Sequence, residues 1–373
     1  MAPLLIDLRA AEDIRDVVLE AAQRLAQGRL VVFPTETVYG IAARALDAQA
    51  VDRLVEVKGR KAGHAVTLAI RSADEARDFV PDLPALAHRL ARRCWPGPIT
   101  LVVRDSHPES MVARLPESVR QIVAPQGTVG LRVPGHTVIL DVLQMMAGPL
   151  VLTSANRSGQ PEARTGTEAA EALGDDVDLV LDDGPSRFGQ PSSVVRVDGN
   201  KYELLRTGAV PEKTLRRLAS AMVLFVCTGN TCRSPMAEML FRKLAAERLG
   251  CDPSELEDRG LMVLSAGIAA MAGGRAAAEA CDVLRGMGLD LSMHETQPLT
   301  EPLVRHADAI YTMTRSQRAA IIGQWPQAAE RCRVLSSHGG DISDPIGGPV
   351  ERYQRCAEQI QAELKARVDE LEL

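Results

Sequence analysis

The stretch VCTGNTCRSP, residues 226–235, lies between an apolar run and a helix-forming segment. The apolar run at 222–226 predicts a buried strand, and the composition of 236–249 predicts a helix. Ser234 suits the N-cap of that helix, and Pro235 suits its first helical position. The unpaired backbone N–H groups at the start of the helix would then face the loop, so the stretch predicts an anion-binding site.

Two side chains of this loop have the chemistry to act on a phosphate. Cys227 lies at the strand end and Arg233 at the helix start, where a helix N-terminus and a guanidinium favour a thiolate. Backbone N–H groups and the guanidinium would hold phosphate oxygens while the thiolate attacks phosphorus. The alternative is a core cysteine before a glycine turn, which the accompanying polar residues disfavour. The other predicted loop residues are Thr228, Gly229, Asn230, Thr231, Cys232 and Ser234.

This pattern resembles the C-x5-R-S phosphate loop of the low-molecular-weight protein tyrosine phosphatase family, from about residue 222 to the C-terminus. The resemblance implies a cofactor-free phosphatase that works through a phosphocysteine. By position, Asp344 would protonate the leaving group and then take a proton from water, although alone it reads as a turn residue. Asn230 and Ser234 would fix the loop and the thiolate, and His294 would brace Asn230.

The rest of this half alternates between strand and helix patterns. Apolar runs at 263–265, 309–313 and 333–335 predict three more strands, and the helical spacing of apolar residues over 353–371 predicts a final core helix. We therefore expect an α/β domain with a small parallel four-stranded sheet and helices on both faces.

The substrate of this half depends on the residues around the loop. Thr231 and the absence of an aromatic residue after Asp344-Pro345 resemble the protein arginine phosphatase branch, where a hydroxyl suits a guanidinium phosphate. If Thr231 only packs, a tyrosine phosphatase, a small-molecule phosphatase or an arsenate reductase of the same fold remains the alternative. The resemblance also implies a reversible disulfide between Cys227 and Cys232 that protects the nucleophile.

The first half carries five separated motifs. They are PTETVYG at 34–40, Lys58-Gly59-Arg60, WPGPIT at 95–100, VGLRVP at 129–134 and TSANRSG at 153–159. Taken singly, each reads as a polar turn or a helix end. As an ordered set over about residues 28–210, they resemble the threonylcarbamoyl-AMP synthase family of tRNA modification.

The resemblance implies an open, twisted α/β sheet with a concave basic cavity. The cavity would take ATP, with the Mg2+ that ATP carries, together with bicarbonate and L-threonine, and it would release threonylcarbamoyl-AMP and pyrophosphate. A tRNA-modifying transferase would receive the adenylate, and this half of the chain would itself contact RNA weakly. The residues implied for nucleotide and threonine binding are Thr35, Tyr39, Lys58, Arg60, Arg132, Ser154, Asn156, Ser193 and Arg206.

Some residues depart from the family pattern. Lys61, Ala65 and Val66 stand where the pattern has proline, proline and leucine, and Ser193 stands where it has threonine. The loss of both prolines loosens a loop beside the triphosphate. The alternative for this half is therefore a non-catalytic module that binds a nucleotide or RNA.

The 373 residues, 46% hydrophobic and 25% charged, have the composition of an ordinary globular protein, and their number favours two domains. We place a synthase-like domain at 1–210, a linker at 211–220 and a phosphatase domain at 221–373. The net charge of −6 argues against a nucleic-acid binder driven by bulk charge. Without a signal peptide or a long apolar run, we expect a cytoplasmic protein that avoids membranes. We expect its seven cysteines to be reduced thiols and no structural metal.

Overall fold

The computed structural model describes residues 2–59 and 66–370. The chain divides into two compact units, Met1–Leu218 and Ala219–Leu373. The predicted linker at 211–220 is mostly helical, since a helix over Glu212–Ala219 takes up most of it. Within the described residues, no helix combines the length and the apolar character needed to cross a membrane.

A mixed sheet of ten strands forms the first unit, in the order β1-β8-β2-β3-β7-β4-β6-β5-β9-β10. The strands are β1 Leu4–Asp7, β2 Val31–Phe33, β3 Gly40–Arg44, β4 Thr67–Ala69, β5 Ile99–Arg104, β6 Thr128–Arg132, β7 Leu150–Ser154, β8 Leu179–Asp182, β9 Ser193–Asp198 and β10 Lys201–Arg206. The central strands β3 and β7 pair antiparallel, whereas β4 and β6 pair parallel. An α/β sheet was expected, and it is confirmed.

Eight helices accompany this sheet in the described part of the unit. They are α1 Ile14–Ala26, α2 Ala48–Lys58, α3 Ala76–Phe79, α4 Ala85–Cys94, α5 Glu117–Val123, α6 Thr137–Met145, α7 Gly166–Leu173 and α8 Glu212–Ala219. The spacing of apolar residues over 14–25 predicts α1, and Val18, Ala21 and Leu25 of this helix are buried. They pack with Val142 of α6 in one core cluster on a single face of the sheet.

The second unit has a four-stranded parallel sheet in the order β12-β11-β13-β14. Its strands are β11 Ala221–Cys227, β12 Leu261–Gly267, β13 Ala309–Thr312 and β14 Cys332–Val334. Its helices are α9 Arg233–Leu249, α10 Ala278–Gly286, α11 Glu301–His306, α12 Arg315–Gln324 and α13 Val350–Asp369. The four strands and the long final helix lie where the sequence predicted them.

Helices cover both faces of this sheet because the buried strand β11 alternates its side chains between two cores. Val223 and Phe225 pack into a cluster with residues of α9, α10 and α13. Leu224 and Val226 pack on the opposite face with residues of α11 and α12. A strand buried on both faces is a continuous apolar run, as the sequence shows before the loop.

The start of α9 differs from the prediction by two residues. The helix begins at Arg233 with Cys232 at the N-cap position, and Ser234 and Pro235 lie inside its first turn. Cys232 makes no side-chain capping hydrogen bond. Ser234 does not cap the helix, because its hydroxyl is directed at the sulfur of Cys227 instead.

Candidate functional site

The predicted phosphate loop follows β11, which pairs with β12 on one side and with β13 on the other. The strand order therefore reverses beside β11, and ligands of open α/β sheets bind in the crevice at such a point. Residues 228–232 cross this crevice before α9 begins at Arg233. The unpaired N–H groups at the start of α9 make the crevice suited to an anion.

Cys227 is buried at the end of β11, with 3% of its surface exposed. Its sulfur accepts a hydrogen bond from the N–H of Asn230 at 3.2 Å and lies 3.0 Å from Ser234 Oγ. Ser234 Oγ accepts a hydrogen bond from Asn230 Nδ2 at 3.0 Å, and its own proton has two acceptors within reach, the sulfur and the backbone oxygen of Ala266 at 3.3 Å. The N–H of Asn230 thus points at the sulfur, beside a hydroxyl that can donate as well, and this arrangement suits a sulfur nucleophile.

Asn230 holds the loop in shape. Its φ of 56° is the one left-handed conformation of a non-glycine residue in the described chain, and asparagine tolerates it well. Its side-chain Nδ2 also donates to Ser265 Oγ at 2.9 Å, and its Oδ1 accepts from the N–H of Gln297 at 2.9 Å. His294 Nε2 lies 2.8 Å from the backbone oxygen of Asn230, so the histidine contacts the asparagine through its main chain.

Arg233 and Asp344 meet directly. Arg233 Nη2 donates to Asp344 Oδ2 at 2.5 Å, and Nη1 donates to the backbone oxygen of Ile342 at 3.2 Å. The arginine is buried, whereas 45% of the aspartate side chain is exposed. Asp344 Oδ1 accepts from the N–H of Ile346, which shapes the turn that carries the acid. The predicted acid therefore lies beside the predicted phosphate-binding arginine.

The remaining loop residues have distinct surroundings. Thr231 accepts a hydrogen bond from the N–H of Ala277 through its backbone oxygen at 2.9 Å, and its Oγ1 lies 3.5 Å from Cys232 Sγ. A Cβ on Gly229 would meet only Thr231 Oγ1, at 3.5 Å, so this position is open. Beyond the acid, 64% of Ile346 is exposed, and no aromatic wall follows Asp344.

All seven cysteines are free thiols in the structure, which therefore shows Cys227 and Cys232 in their reduced form, and the reversible disulfide stays a prediction. Cys232 is buried, and its sulfur lies 3.7 Å from the hydroxyl of Tyr353. Burial raises the pKa of the Cys232 thiol, and side-chain hydrogen bonds with Thr231 and Tyr353 partly offset this rise. Cys232 is therefore mainly a neutral thiol.

Sequence reasoning missed three residues that support the loop. Gln317 is buried in α12; its Nε2 donates to Thr228 Oγ1 at 3.1 Å, and its Oε1 accepts from the N–H of Met313 at 3.0 Å. Ser265 Oγ accepts the hydrogen bond from Asn230 Nδ2 that is described above. Glu238 lies beside Ser265, and burial raises the pKa of its carboxyl. Only the capping pattern of Thr314 with Gln317 was visible in the sequence.

The first unit holds a cavity of about 310 Å³ over the middle of its sheet. Its walls come from strands β3, β4, β5, β6, β7, β9 and β10 and from the turns beside them. Five predicted site residues line it: Thr35, Tyr39, Arg132, Ser154 and Arg206. Thr100, from the WPGPIT motif, also lines it, as do residues that sequence reasoning did not single out, among them Thr67, Ser192 and Arg196.

Arg132 is the buried cation of this cavity. Its Nη2 donates to Glu36 Oε1 at 2.7 Å and to Thr37 Oγ1 at 2.8 Å. Glu36 also accepts from the N–H of Gly135 at 2.7 Å. Because both charged side chains are about nine-tenths buried, the pair fixes the PTETVYG turn against β6.

Thr35 and Tyr39 use their hydroxyls inside the protein. Thr35 Oγ1 donates to the backbone oxygen of Val38 at 2.6 Å. The Tyr39 hydroxyl lies 2.9 Å from Asp182 Oδ1 and accepts from the N–H of Asp183 at 2.9 Å. Burial raises the pKa of Tyr39, so the phenol stays protonated. Tyr39 therefore contributes its ring to the cavity rather than its hydroxyl.

Lys58 is buried at the end of α2 and binds the turn after β7. Its Nζ donates to the backbone oxygen of Ser154 at 2.7 Å and to Asn156 Oδ1 at 2.7 Å, with a further contact to the backbone oxygen of Asn156. Ser154 Oγ in turn donates to Asn156 Oδ1 at 2.6 Å. The three predicted residues therefore form one cluster, of which Ser154 lines the cavity.

Arg206 and Ser193 have different roles. Arg206 lines the cavity, and its Nη2 donates to the backbone oxygen of Ser192 at 2.9 Å and to Ser192 Oγ at 3.2 Å. Burial lowers the pKa of Arg206 from its usual value. Ser193 is fully buried, and its hydroxyl donates to Val210 and accepts from the N–H groups of Gly208 and Val210. Ser193 thus fastens residues 208–210, and its neighbour Ser192 faces the cavity.

Part of the predicted site lies outside the described residues. Arg60, Lys61 and Ala65 are among the residues that the structure does not describe. Val66 is described, is buried and lines the cavity. In the described ranges, no group of three His, Cys, Asp or Glu side chains is placed to hold a metal ion.

Comparison of the first half with known proteins gives consistent matches. Residues 23–208 match a family model described as Telomere recombination. The threonylcarbamoyl-AMP synthase of Pyrococcus abyssi is 35% identical over 219 residues, which are 58% of this chain, and the chain spans only 62% of that relative. A putative threonylcarbamoyl-AMP synthase of Mycobacterium tuberculosis is 36% identical over 193 residues, 52% of this chain and 84% of that protein.

A solved structure supports the fold. The crystal structure of P. abyssi Sua5 complexed with L-threonine superposes with a TM-score of 0.52 at 25% sequence identity. The superposition covers 71% of this chain and 92% of that chain.

The second half matches a different family. Residues 222–372 match the family model described as Low molecular weight phosphotyrosine protein phosphatase. The protein-arginine-phosphatase of Bacillus subtilis is 33% identical over 153 residues, which are 40% of this chain and 95% of that protein.

Proposed function

The chain belongs to the threonylcarbamoyl-AMP synthase family through its first half and to the low molecular weight phosphotyrosine protein phosphatase family through its second half, and from this premise we propose that it is a cytoplasmic enzyme with two activities. The first unit makes threonylcarbamoyl-AMP and pyrophosphate from ATP, bicarbonate and L-threonine. The second unit dephosphorylates proteins, with phosphoarginine as its substrate group.

The polar cavity of the first unit supports the synthase activity. Arg206 and Ser154 present a guanidinium and a hydroxyl where a nucleotide phosphate would be bound. Lys58 would act by holding the turn that carries Ser154, because its ammonium is engaged there. Thr35 and Arg132, which line the same cavity, would form part of the threonine pocket. Mg2+ would arrive with ATP, and the adenylate would pass to a tRNA-modifying transferase.

Release of pyrophosphate tests this activity. The intact chain should release pyrophosphate from ATP only when both threonine and bicarbonate are present. Arg206→Gln should lower kcat/KM for ATP by about tenfold or more, since a charged hydrogen bond to phosphate is lost. The exposed Arg216, on α8, supplies the matched control Arg216→Gln, which should change nothing. No release at all favours a nucleotide- or RNA-binding module instead, whereas release without threonine would show an ATP-cleaving activity other than the proposed synthesis.

The contacts of Cys227 carry the phosphatase proposal, because the N–H of Asn230 donates to its buried sulfur and the hydroxyl of Ser234 lies 3.0 Å from it. The Cys227 thiolate attacks phosphorus, and the bond from phosphorus to the leaving nitrogen breaks as Asp344 supplies a proton to that nitrogen. Arg233 and the backbone N–H groups hold the phosphoryl oxygens. Water then gives a proton to Asp344 and attacks phosphorus, the bond from phosphorus to sulfur breaks, and orthophosphate leaves.

Phosphoarginine is favoured by the polar lining of the crevice. Thr231 offers a hydroxyl at the rim, Asp344 offers a half-exposed carboxylate to a guanidinium, and Ile346 gives no aromatic face for a phenol. The 33% identical relative is named a protein-arginine-phosphatase, which agrees with this choice.

Hydrolysis of competing substrates tests the assignment of phosphoarginine over phosphotyrosine. The intact chain should hydrolyse phosphoarginine peptides faster than phosphotyrosine peptides of the same sequence, and Cys227→Ser should hydrolyse neither. Thr231→Ile should move the preference toward phosphotyrosine, whereas Thr231→Ser, which keeps the hydroxyl, should not. If phosphotyrosine is already preferred, or if Thr231→Ile leaves the ratio unchanged, Thr231 only packs and the second unit is a general phosphatase.

A further inference from the structure

The part of the cavity wall that Tyr39 forms is fixed from behind by one buried carboxylate, that of Asp182. Asp182 ends β8 with 7% of its surface exposed, and it does not itself line the cavity. Its Oδ1 lies 2.9 Å from the Tyr39 hydroxyl and accepts hydrogen bonds from the N–H groups of Gly184 at 2.8 Å and Gly166 at 3.1 Å. One oxygen atom therefore joins the PTETVYG turn, the start of α7 and the turn after β8.

Asp182 is an acceptor because it stays ionised. Burial raises the pKa of its carboxyl, but the hydrogen bonds from Gly184, Gly166 and Tyr39 outweigh burial and hold the pKa below its usual value. Its position is also sterically defined, since a Cβ on Gly166 would lie 2.5 Å from the Cβ of Asp182. The carboxylate is thus a fixed point to which the tyrosine is attached.

Tyr39 is held at both of its ends. Its side chain is fully buried, and its hydroxyl also lies 2.7 Å from the backbone oxygen of Gly184 and accepts from the N–H of Asp183 at 2.9 Å. At the main chain, its N–H donates to the backbone oxygen of Ala163 at 2.9 Å, and its oxygen accepts from the N–H of Ala155 at 2.8 Å. The ring between these two ends therefore has one position against the cavity.

This position matters for the turn that carries Thr35. Thr35 Oγ1 donates to the backbone oxygen of Val38, the residue before Tyr39, and both Thr35 and Tyr39 line the cavity. The proposed function places L-threonine beside Thr35. A displaced Tyr39 ring would change the shape of that pocket without removing any group that is proposed to hold the nucleotide.

We propose that Asp182 is a positioning residue of the synthase, which holds the ring of Tyr39 in place as a wall of the L-threonine pocket. The role rests on the proposed synthesis of threonylcarbamoyl-AMP and adds to it a residue that does not touch the substrate. Because Asp182 acts through Tyr39, its loss weakens threonine binding and leaves ATP binding unchanged. A merely structural role would instead lower the fraction of folded protein and leave both KM values as they are.

Pyrophosphate release by the intact chain, with threonine and ATP varied in turn, tests this role. Asp182→Ala should raise KM for threonine by about tenfold or more and leave KM for ATP at the parent value. Asp182→Asn keeps an oxygen for the three donors and places its amide beside Thr167 Oγ1, which lies 3.4 Å from Oδ2, so its KM values should stay within about threefold of the parent. An unchanged KM for threonine in Asp182→Ala, or equal rises in both KM values, overturns the proposal.

Tyr39→Phe removes only the hydroxyl and gives a second test if Asp182→Ala folds poorly. It should raise KM for threonine by about three- to tenfold, with KM for ATP unchanged. Combining Tyr39→Phe with Asp182→Ala should do no more than Asp182→Ala alone, because the contact is already lost. Additive effects of the two changes, or a parent-like KM for threonine in Tyr39→Phe, would show that Asp182 does not act through Tyr39.

Asp183→Ala is the matched control. It removes the neighbouring carboxylate, which lies 3.1 Å from His136 Nε2, and it keeps the N–H that donates to Tyr39. It should leave KM for threonine at the parent value, and a rise equal to that of Asp182→Ala would assign the effect to the charge of the turn and refute the role of Asp182. A parent chain without threonine-dependent pyrophosphate release contradicts the proposed function itself, whereas an active parent with unresponsive variants contradicts only the positioning role.

Discussion

Asp344 forms an ion pair with Arg233, the residue beside which it is expected to act. Its Oδ2 accepts a charge-assisted hydrogen bond from Arg233 at 2.5 Å while half of the side chain remains exposed. A phosphate in the loop would compete for the same guanidinium. We therefore expect the ion pair to hold Asp344 close to the leaving group before any substrate binds, and a bound phosphate to displace one contact rather than reorganise the loop.

Loss of the acid should depend on the leaving group. We expect Asp344→Asn to lower kcat on phosphoarginine by about 10²- to 10⁴-fold, since general acid catalysis contributes that much. The loss should be smaller on p-nitrophenyl phosphate, whose leaving group needs little protonation. Steady-state kinetics on both substrates measure the difference.

Asp341 supplies the matched control for Asp344, because it lies in the same loop but accepts its hydrogen bond from the N–H of Arg315. Asp341→Asn should leave kcat on both substrates close to the parent value. Equal losses for Asp344→Asn on both substrates would show that Asp344 only supports the loop.

Gln317 positions the loop from a neighbouring element. Its amide nitrogen donates to Thr228 Oγ1, immediately after the nucleophile. Gln317→Glu replaces that donor with a carboxylate and should raise KM for phosphorylated substrates by about tenfold, because the new negative charge opposes the phosphate dianion. The melting temperature should fall only slightly, since the remaining oxygen still accepts from Met313.

The control for this charge change is Gln324→Glu, at the exposed end of the same helix α12. It adds the same charge away from the loop and should leave KM unchanged. A similar rise in KM for both variants would mean that net charge, and not the contact to Thr228, causes the effect.

Cys232 should protect Cys227 during oxidation. Peroxide converts the Cys227 thiolate to a sulfenic acid, and the Cys232 thiol then attacks that sulfur and releases water to form a disulfide. Dithiothreitol should restore the parent fully and Cys232→Ser poorly, as measured by phosphatase activity after peroxide treatment. Equal recovery of the two would contradict the prediction.

Cys356 is the control thiol. It is buried in α13 with its sulfur 3.4 Å from the backbone oxygen of Ser343, and burial raises its pKa to about 12. Because it remains a neutral thiol, Cys356→Ser should recover from peroxide as the parent does.

At the scale of elements, the phosphatase sheet was predictable because its signals are local. A strand buried on both faces is a short apolar run, and a core helix repeats its apolar residues at helical spacing. Both signals are strong for β11 and for α13, where Tyr353, Ile360 and Leu364 are buried as predicted. The start of α9 was predicted two residues late, because the sequence could not show that the hydroxyl of Ser234 is used by Cys227.

The buried stripe of α13 should be sensitive to truncation. Ile360 is fully buried in the cluster that also contains Phe225 and Leu240. Ile360→Ala should lower the free energy of unfolding of the second unit by about 2–5 kcal/mol through lost burial and a cavity. Arg355→Ala, on the exposed face of the same helix, should change it by less than about 0.5 kcal/mol. Urea denaturation followed by phosphatase activity compares the two, and similar losses would argue against a packed stripe.

At the scale of the whole molecule, each unit has its own core and its own candidate site. Among the described residues, three clusters of buried side chains each lie within Met1–Leu218 or within Ala219–Leu373. Each set of proposed site residues that the structure describes likewise lies inside a single unit. We therefore expect neither proposed chemistry to need a group from the other half.

The two activities should therefore separate by mutation. Cys227→Ser should abolish phosphatase activity and leave pyrophosphate release at the parent rate. Arg206→Gln should lower kcat/KM for ATP in pyrophosphate release by about tenfold or more and leave phosphatase activity at the parent rate. Both activities are measured on the same preparation of the intact chain, so a variant that lowers both would reveal dependence between the halves.

The sequence alone determined the position of the nucleophile loop, the parallel sheet of the second unit and the order of motifs in the first, because each depends on neighbouring residues and short repeats. Tertiary structure decided which hydroxyls and charges are available. It buried the Tyr39 hydroxyl against Asp182, bound Lys58 to the turn after β7 and turned Ser193 away from the cavity that Ser192 lines. The Tyr39 hydroxyl depends on a partner more than a hundred residues away in the sequence, and Lys58 depends on one nearly a hundred residues away. Only the packed sheet brings such distant partners together.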